Sequence, residues 1–131
     1  GTVVGTHEGA QYYTVGQRHG IGYGGGDAPY YVTGKDIKKN IVTVAKGRDN
    51  PELFREGLVC SHIHWISGTA PKLPFSCRAR IRYRQPLQRC RVKGRGKKLG
   101  VLFDSSQRAV TPGQSIVFYK GLVVLGGGII E

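Results

Sequence analysis

Carboxylates are scarce in this sequence. Only 8 of the 131 residues are acidic against 20 basic ones, and no acid lies between Glu56 and Asp104. So few scattered acids offer no carboxylate pair for acid–base catalysis. Cysteine is sparse as well. Cys60, Cys77 and Cys90 form no CxxC pair, and an odd, low count argues against a disulfide framework and fits a reducing, cytoplasmic setting. The 4 histidines do not join the cysteines at zinc-site spacing. His62 and His64 flank Ile63 and on a strand would share a face, which is too few ligands for a metal. No apolar run approaches ~18–20 residues, so no helical membrane span is expected. No signal peptide, Ser-His-Asp pattern or P-loop is present, and no catalytic residue is expected in this chain. Met is absent and residue 1 is Gly, so the chain reads as an excised piece of something longer.

The net charge is +12 and unevenly spread. Residues 1–59 carry seven basic and six acidic residues, whereas residues 60–131 carry thirteen basic residues against Asp104 and Glu131. Eleven of those thirteen cations fall between Lys72 and Lys98. A solvated surface usually mixes signs, so a single-sign field this dense points to a polyanionic partner.

The 21 glycines favour turns and strands over long helices. Residues 2–9 (TVVGTHEG) read as a short strand ending in a turn. Over 11–20, Thr14 and Gln17 fit a capping box and Gly20 a helix C′ position, which predicts a helix of one to two turns weakened by Gly16. The stretch 20–29 holds a literal G-x-G-x-x-G at Gly20, Gly22 and Gly25. A dinucleotide site needs a helix there, but a β-type run follows, so a flexible or substrate-facing loop is the better reading. Residues 30–36 and 40–47 read as a hairpin. Residues 49–57 carry a helix signature, with Asp49 or Asn50 as cap, Pro51 at N1, Glu52 in the first turn and Gly57 beyond the end. Strands are expected over 58–67, 75–85, 88–94 and 97–104, then a hairpin over 114–131 turning at Lys120-Gly121. The expected fold is mostly β: a small β-rich domain with short helices over 1–57, followed by a basic antiparallel β-barrel over 58–131.

Within the basic half, RARIRYRQ (78–85) places arginine at every second position. Strand periodicity would set Arg78, Arg80, Arg82 and Arg84 on one face, with Cys77, Ala79, Ile81 and Tyr83 on the other. On the next strand, Arg89, Arg91 and Lys93 alternate with Cys90 and Val92. Paired as a hairpin, the strands would gather seven cations on one face. Like charges opposite one another cost on the order of a few tenths of a kcal/mol per close pair unless an anion is present. Arginine outnumbers lysine six to one among them. The guanidinium fork matches phosphate oxygens and stacks on bases, so the polyanion expected is RNA, read through its backbone, 2′-hydroxyls and splayed bases. The inward phase makes Cys77 and Cys90 small core hydrophobes rather than nucleophiles.

Several segments, in order, carry a resemblance: HEGAQYYTVGQRHGIGYGG (7–25), APYYVTGKD (28–36), HWIS (64–67), RYRQ (82–85), AVTPGQSIVFYKG (109–121) and LGGGIIE (125–131). Together they resemble the tRNA-specific 2-thiouridylase family of the MnmA type, over essentially the whole chain. The resemblance implies a parent enzyme that uses ATP to activate the C2 oxygen of the anticodon wobble uridine and a cysteine persulfide to deliver sulfur, with tRNA and a sulfur-donor protein as partners. It also implies a central domain and a translation-factor-like C-terminal β-barrel here, with the ATP motif and catalytic cysteines in a preceding domain. It places tRNA contacts at Arg82, Tyr83 and Gln114, and so puts Tyr83 at the RNA where strand phase puts it inside. Arg78, Arg80, Arg84, Arg89, Arg91 and Lys93 remain candidates for general phosphate attraction. QRCRVKGRGKK (88–98) is more basic than the family pattern, implying tighter, less selective RNA binding or simply a basic proteome. The alternatives are a general RNA-binding barrel with no enzyme attached and a module that uses the arginine row to hold an acidic protein.

Overall fold

The computed structural model describes residues 2–18 and 29–131. The chain forms two compact units, Gly1–Phe54 and Arg55–Glu131.

The first unit centres on a hairpin of β1 (Tyr30–Asp36) and β2 (Ile41–Lys46). Its turn is fastened by Asp36, whose Oδ1 accepts from the Lys39 amide, and by Asn40 in the left-handed region at φ 52°. Asn40 also anchors the N-terminal segment: its Oδ1 accepts from the Ala10 amide at 2.8 Å and its carbonyl contacts His7 Nε2 at 3.0 Å. Ala10, Tyr31, Val32, Ala45 and Leu53 are buried.

Three local expectations fail here. Residues 2–9 form no strand, and only a single 3-10 turn, Ala10–Tyr12, follows. The Gln17 side chain accepts from the Thr14 amide as in a capping box, but the Gln17 amide donates to the Thr14 backbone carbonyl of a β-turn rather than to the threonine hydroxyl. Gly16 sits at φ 90°, and the backbones of Gly16 and Gln17 bond to Val32 of β1, so sheet-like pairing displaces the helix. The helix expected over 49–57 shrinks to a 3-10 turn, Pro51–Leu53, capped by Asn50 Oδ1 on the Glu52 amide. Phe54 already enters the next strand. The glycine-rich stretch 20–28 lies outside the described residues.

The second unit is a closed six-stranded antiparallel barrel: β3 (Phe54–Trp65), β4 (Phe75–Arg80), β5 (Gln88–Arg95), β6 (Lys98–Arg108), β7 (Ser115–Lys120) and β8 (Val123–Ile130), in the order β3-β6-β5-β4-β7-β8. Alternate residues fill the interior, with Cys60, Ala79, Val92, Val101, Phe103, Ile116, Phe118 and Ile130 all buried. Trp65 stacks on Phe118 at 5.6 Å and meets Phe75 edge-on at 6.1 Å.

Closure depends on the glycine run 126–128. At Gly126 a Cβ would run into the His64 carbonyl oxygen of β3. At Gly127 it would meet the Ile116 carbonyl oxygen of β7, and at Gly128 the Ser61 carbonyl oxygen at 2.7 Å. The three bare backbones let β8 fit between β3 and β7. Across the same seam β3 bulges between Ser61 and His64, with His62 at φ 51°. Both histidines stay exposed. Among the described residues no group of His, Cys, Asp and Glu side chains gathers into a metal site.

Replacing Gly127 with alanine is expected to cost about 1–3 kcal/mol of barrel stability through overpacking. Gly100→Ala, whose Cβ would make only ordinary contact with Lys93, is expected to stay within about 0.5 kcal/mol of the unsubstituted chain. Urea midpoints of the two variants check this.

Candidate nucleic-acid interface

The strand that carries the arginine row is shorter than its alternation suggests. β4 ends at Arg80, and residues 81–84 form a turn with Arg84 at φ 66°. Ile81 remains 4% exposed and plugs into the core, while Tyr83 is 84% exposed. The inward placement of Tyr83 by strand phase is therefore corrected: the alternation stops before it.

Glutamines hold the turn. Gln85 Oε1 accepts from the Ile81 amide at 2.9 Å, and Gln85 Nε2 donates to Gln107 Oε1 at 2.7 Å. Gln107 Nε2 donates in turn to Gln88 Oε1 at 3.1 Å and to the Ser105 carbonyl at 2.9 Å. Gln107 is 3% exposed, and its side-chain oxygen and nitrogen are both engaged, so it is buried without an unpaired dipole. With Ile81 buried and Gln85 tied back, Arg82, Tyr83 and Arg84 must project outward. Arg82 Nη2 donates to the Arg108 carbonyl at 2.6 Å. Partial burial, and then the neighbouring Arg108 charge, lower the Arg82 pKa from its ordinary value. Arg84 lies over the Tyr83 ring at 5.5 Å.

Gln114 belongs to the same end of the barrel. β4, β6 and β8 run one way and β5 and β7 the other, so the 81–87 turn and the 109–114 loop emerge together. The loop is fastened by backbone bonds from Gly113 to Ile130 and from Ile130 to Gln114, which leaves the Gln114 residue exposed.

The remaining cations divide. Arg78, Arg89, Arg91 and Lys93 are exposed on the outer face of β4 and β5, with Arg78 and Arg89 directly opposite one another. Arg78, Arg89 and Arg91 form no ion pair among the described residues. Together with Tyr119, Lys120 and Asp104 they border a groove of about 450 Å³. Arg80 is half-buried instead, with its guanidinium 5.3 Å from the Tyr119 ring and its buried Nε lacking a hydrogen-bond partner among the described residues. The expected flat face of seven cations is thus three things: an outer-face groove, a stacked arginine at its edge and a projecting turn.

Sequence reading missed Gln85, Gln88 and Gln107 as the residues that set the turn. One signal was available: Gln107 continues the inward phase of Leu99, Val101 and Phe103, where a polar side chain must find partners. Tyr119 and Lys120, which join the groove from β7, gave no signal because only the strand order brings β7 beside β4.

A family model described as an aminomethyltransferase beta-barrel domain matches residues 55–130, and one described as a tRNA methyl transferase PRC-barrel domain matches residues 1–46. The tRNA-specific 2-thiouridylase MnmA of Hahella chejuensis is 52% identical over 100% of this chain and 37% of its own length. The protein of the same name from Marinobacter nauticus is 50% identical over 100% of this chain and 34% of its length. That from Methylococcus capsulatus is 47% identical, over 100% and 37%. The chain thus spans about a third of the length of the curated relatives it matches.

Replacing Gln107 with leucine strands the Gln85 and Gln88 amides and is expected to cost about 1–3 kcal/mol. Hydrogen exchange at the Ile81 amide, which loses its tethered acceptor, should accelerate in the same variant.

Proposed function

The chain belongs to the tRNA-specific 2-thiouridylase family, and from that premise we propose that it is the tRNA-binding part of an enzyme that makes 2-thiouridine at the anticodon wobble position. The observation that carries this reading is the exposed Tyr83 set between Arg82 and Arg84 on a tethered turn, at the same end of the barrel as the exposed Gln114. An exposed ring flanked by guanidinium groups offers an unstacked base a platform and its phosphates a charge partner. Arg82, Tyr83 and Gln114 are assigned the specific contacts. Arg78, Arg89 and Arg91 in the groove, with Lys93, Arg80 and Arg84 around them, attract phosphate without specifying sequence. Residues 58–131 act as the RNA-binding barrel and 1–57 as the central domain.

ATP and a persulfide sulfur donor belong to this proposal for the whole enzyme, working in the cytoplasm. Among the described residues there is no α-helix whose N-terminus would cradle a triphosphate, so no step through ATP is assigned to this chain. Cys60 and Cys90 are buried and Cys77 is half-buried, and none of them is assigned a role in sulfur transfer.

In gel-shift titrations the chain is expected to bind tRNA, with log K falling by roughly 0.7–0.9 per unit of log salt for each phosphate neutralised. Tyr83→Ala should cost about 1–3 kcal/mol through lost stacking. Arg91→Ala should lower the salt slope by roughly one phosphate with little change in selectivity. Salt-insensitive binding, or equal affinity for the Tyr83→Ala variant, would remove the assignment. With ATP and a sulfur donor the chain alone is expected to form no thiouridine.

A further inference from the structure

Lining the arginine groove is a cysteine pair to which the RNA-binding assignment gives no role. Cys77 of β4 and Cys90 of β5 are direct partners in the strand register, and their sulfurs stand 3.7 Å apart. Facing residues of an antiparallel pair have Cα atoms roughly 4.5–5.5 Å apart, inside the ~4.4–6.8 Å that a disulfide spans. Side-chain rotation with a slight approach of the two strands brings these sulfurs to bonding distance, since facing Cβ atoms lie roughly 4.5–5.5 Å apart and a disulfide holds them at ~3.5–4.5 Å. We propose that Cys77 and Cys90 are a peroxide-oxidisable dithiol, whose disulfide closes the base of the hairpin that presents Arg82 and Tyr83.

The two sulfurs have different roles. Cys77 is half-buried and Cys90 buried. The hydrogen bond shared with Cys90 holds the Cys77 pKa below its ordinary value against the opposing effect of burial, and the Lys120 charge adds to the lowering. The same hydrogen bond, followed by burial, pushes Cys90 up. Cys77 is the attacking thiolate and Cys90 the resolving thiol. The Cys77 thiolate attacks one oxygen of a peroxide, the O–O bond breaks, and hydroxide leaves and is protonated by solvent. Cys77 is then a sulfenic acid. The Cys90 sulfur attacks the Cys77 sulfur, the S–O bond breaks, and the Cys90 proton departs with the hydroxide as water. The dithiol loses two electrons, and hydrogen peroxide is reduced to water. Cys60 takes no part: its thiol faces the Leu99 carbonyl, and burial pushes it up to about 11.

The test treats the chain with hydrogen peroxide and follows intact mass, disulfide mapping and labelling by dimedone, which traps sulfenic acids. The expected result is a mass loss equal to a pair of hydrogens, a mapped Cys77–Cys90 bridge, reversal by dithiothreitol and a higher urea midpoint for the oxidised chain. Cys90→Ala should retain a dimedone-reactive Cys77, and Cys90→Ser, less disruptive to hydrogen bonding, should do the same if the alanine variant unfolds. Labelling at Cys60 instead of Cys77 overturns the proposal, as does a bridge that forms only in denaturant. So does direct progress to the sulfonic acid without a bridge. None of these readouts involves RNA, so their outcome stands apart from the RNA-binding assignment.

Discussion

A six-stranded barrel closes only if its last strand can lie against both the first and the fifth, and here that constraint falls on Gly126, Gly127 and Gly128. Each faces a carbonyl oxygen of β3 or β7 where a side chain has no room. Closure removes the open sheet edges and commits alternate residues to a core built around Phe118 and Ile116. Everything presented to solvent is then decided by outward phase along each strand and by the connections at the two ends. β4 pairs directly with both β5 and β7, and that order brings Tyr119 and Lys120 to the arginines.

The cations are arranged at an energetic cost. Arg78 faces Arg89 across a strand pair, the buried Nε of Arg80 has no hydrogen-bond partner among the described residues, and the Arg108 charge helps to lower the Arg82 pKa. Like charges opposite one another weaken a sheet, so the Arg78–Arg89 pairing is a cost to the isolated barrel. The glutamine tether works differently. Its side-chain amides are mutually bonded, so it fixes the turn without exposing a charge, and it makes the orientation of Tyr83 a consequence of buried chemistry rather than of strand phase.

Most of the barrel's strands were legible as β-type runs bounded by turn signals, with two-residue alternation clear in β4 and β5 and a nearly continuous apolar run marking the last hairpin. Short-range signals fared worse where a partner strand competed for the same backbone. The Gln17 side-chain contact to the Thr14 amide suits either a helix or a turn, and bonds to Val32 select the turn. Asn50 and Pro51 start a helix-like turn, but the chain is drawn into β3 from Phe54. At the interface the arginines were legible as a set. Their separation into groove, stacked edge and projecting turn was not, because alternation does not record where a strand stops.

By itself the sequence determined that this is a β-rich chain with an acid-free, arginine-dense span, and that the span suits a polyanion. Those properties reside in composition and in spacing along one chain. Tertiary structure alone decided that Tyr83 faces water, that Gln107 anchors the turn bearing it, and that the Cys77 and Cys90 sulfurs meet at 3.7 Å. The physical reason is register: which residues oppose one another depends on strand order, bulges and turn length. These are settled jointly by closure of the whole barrel rather than by any one segment.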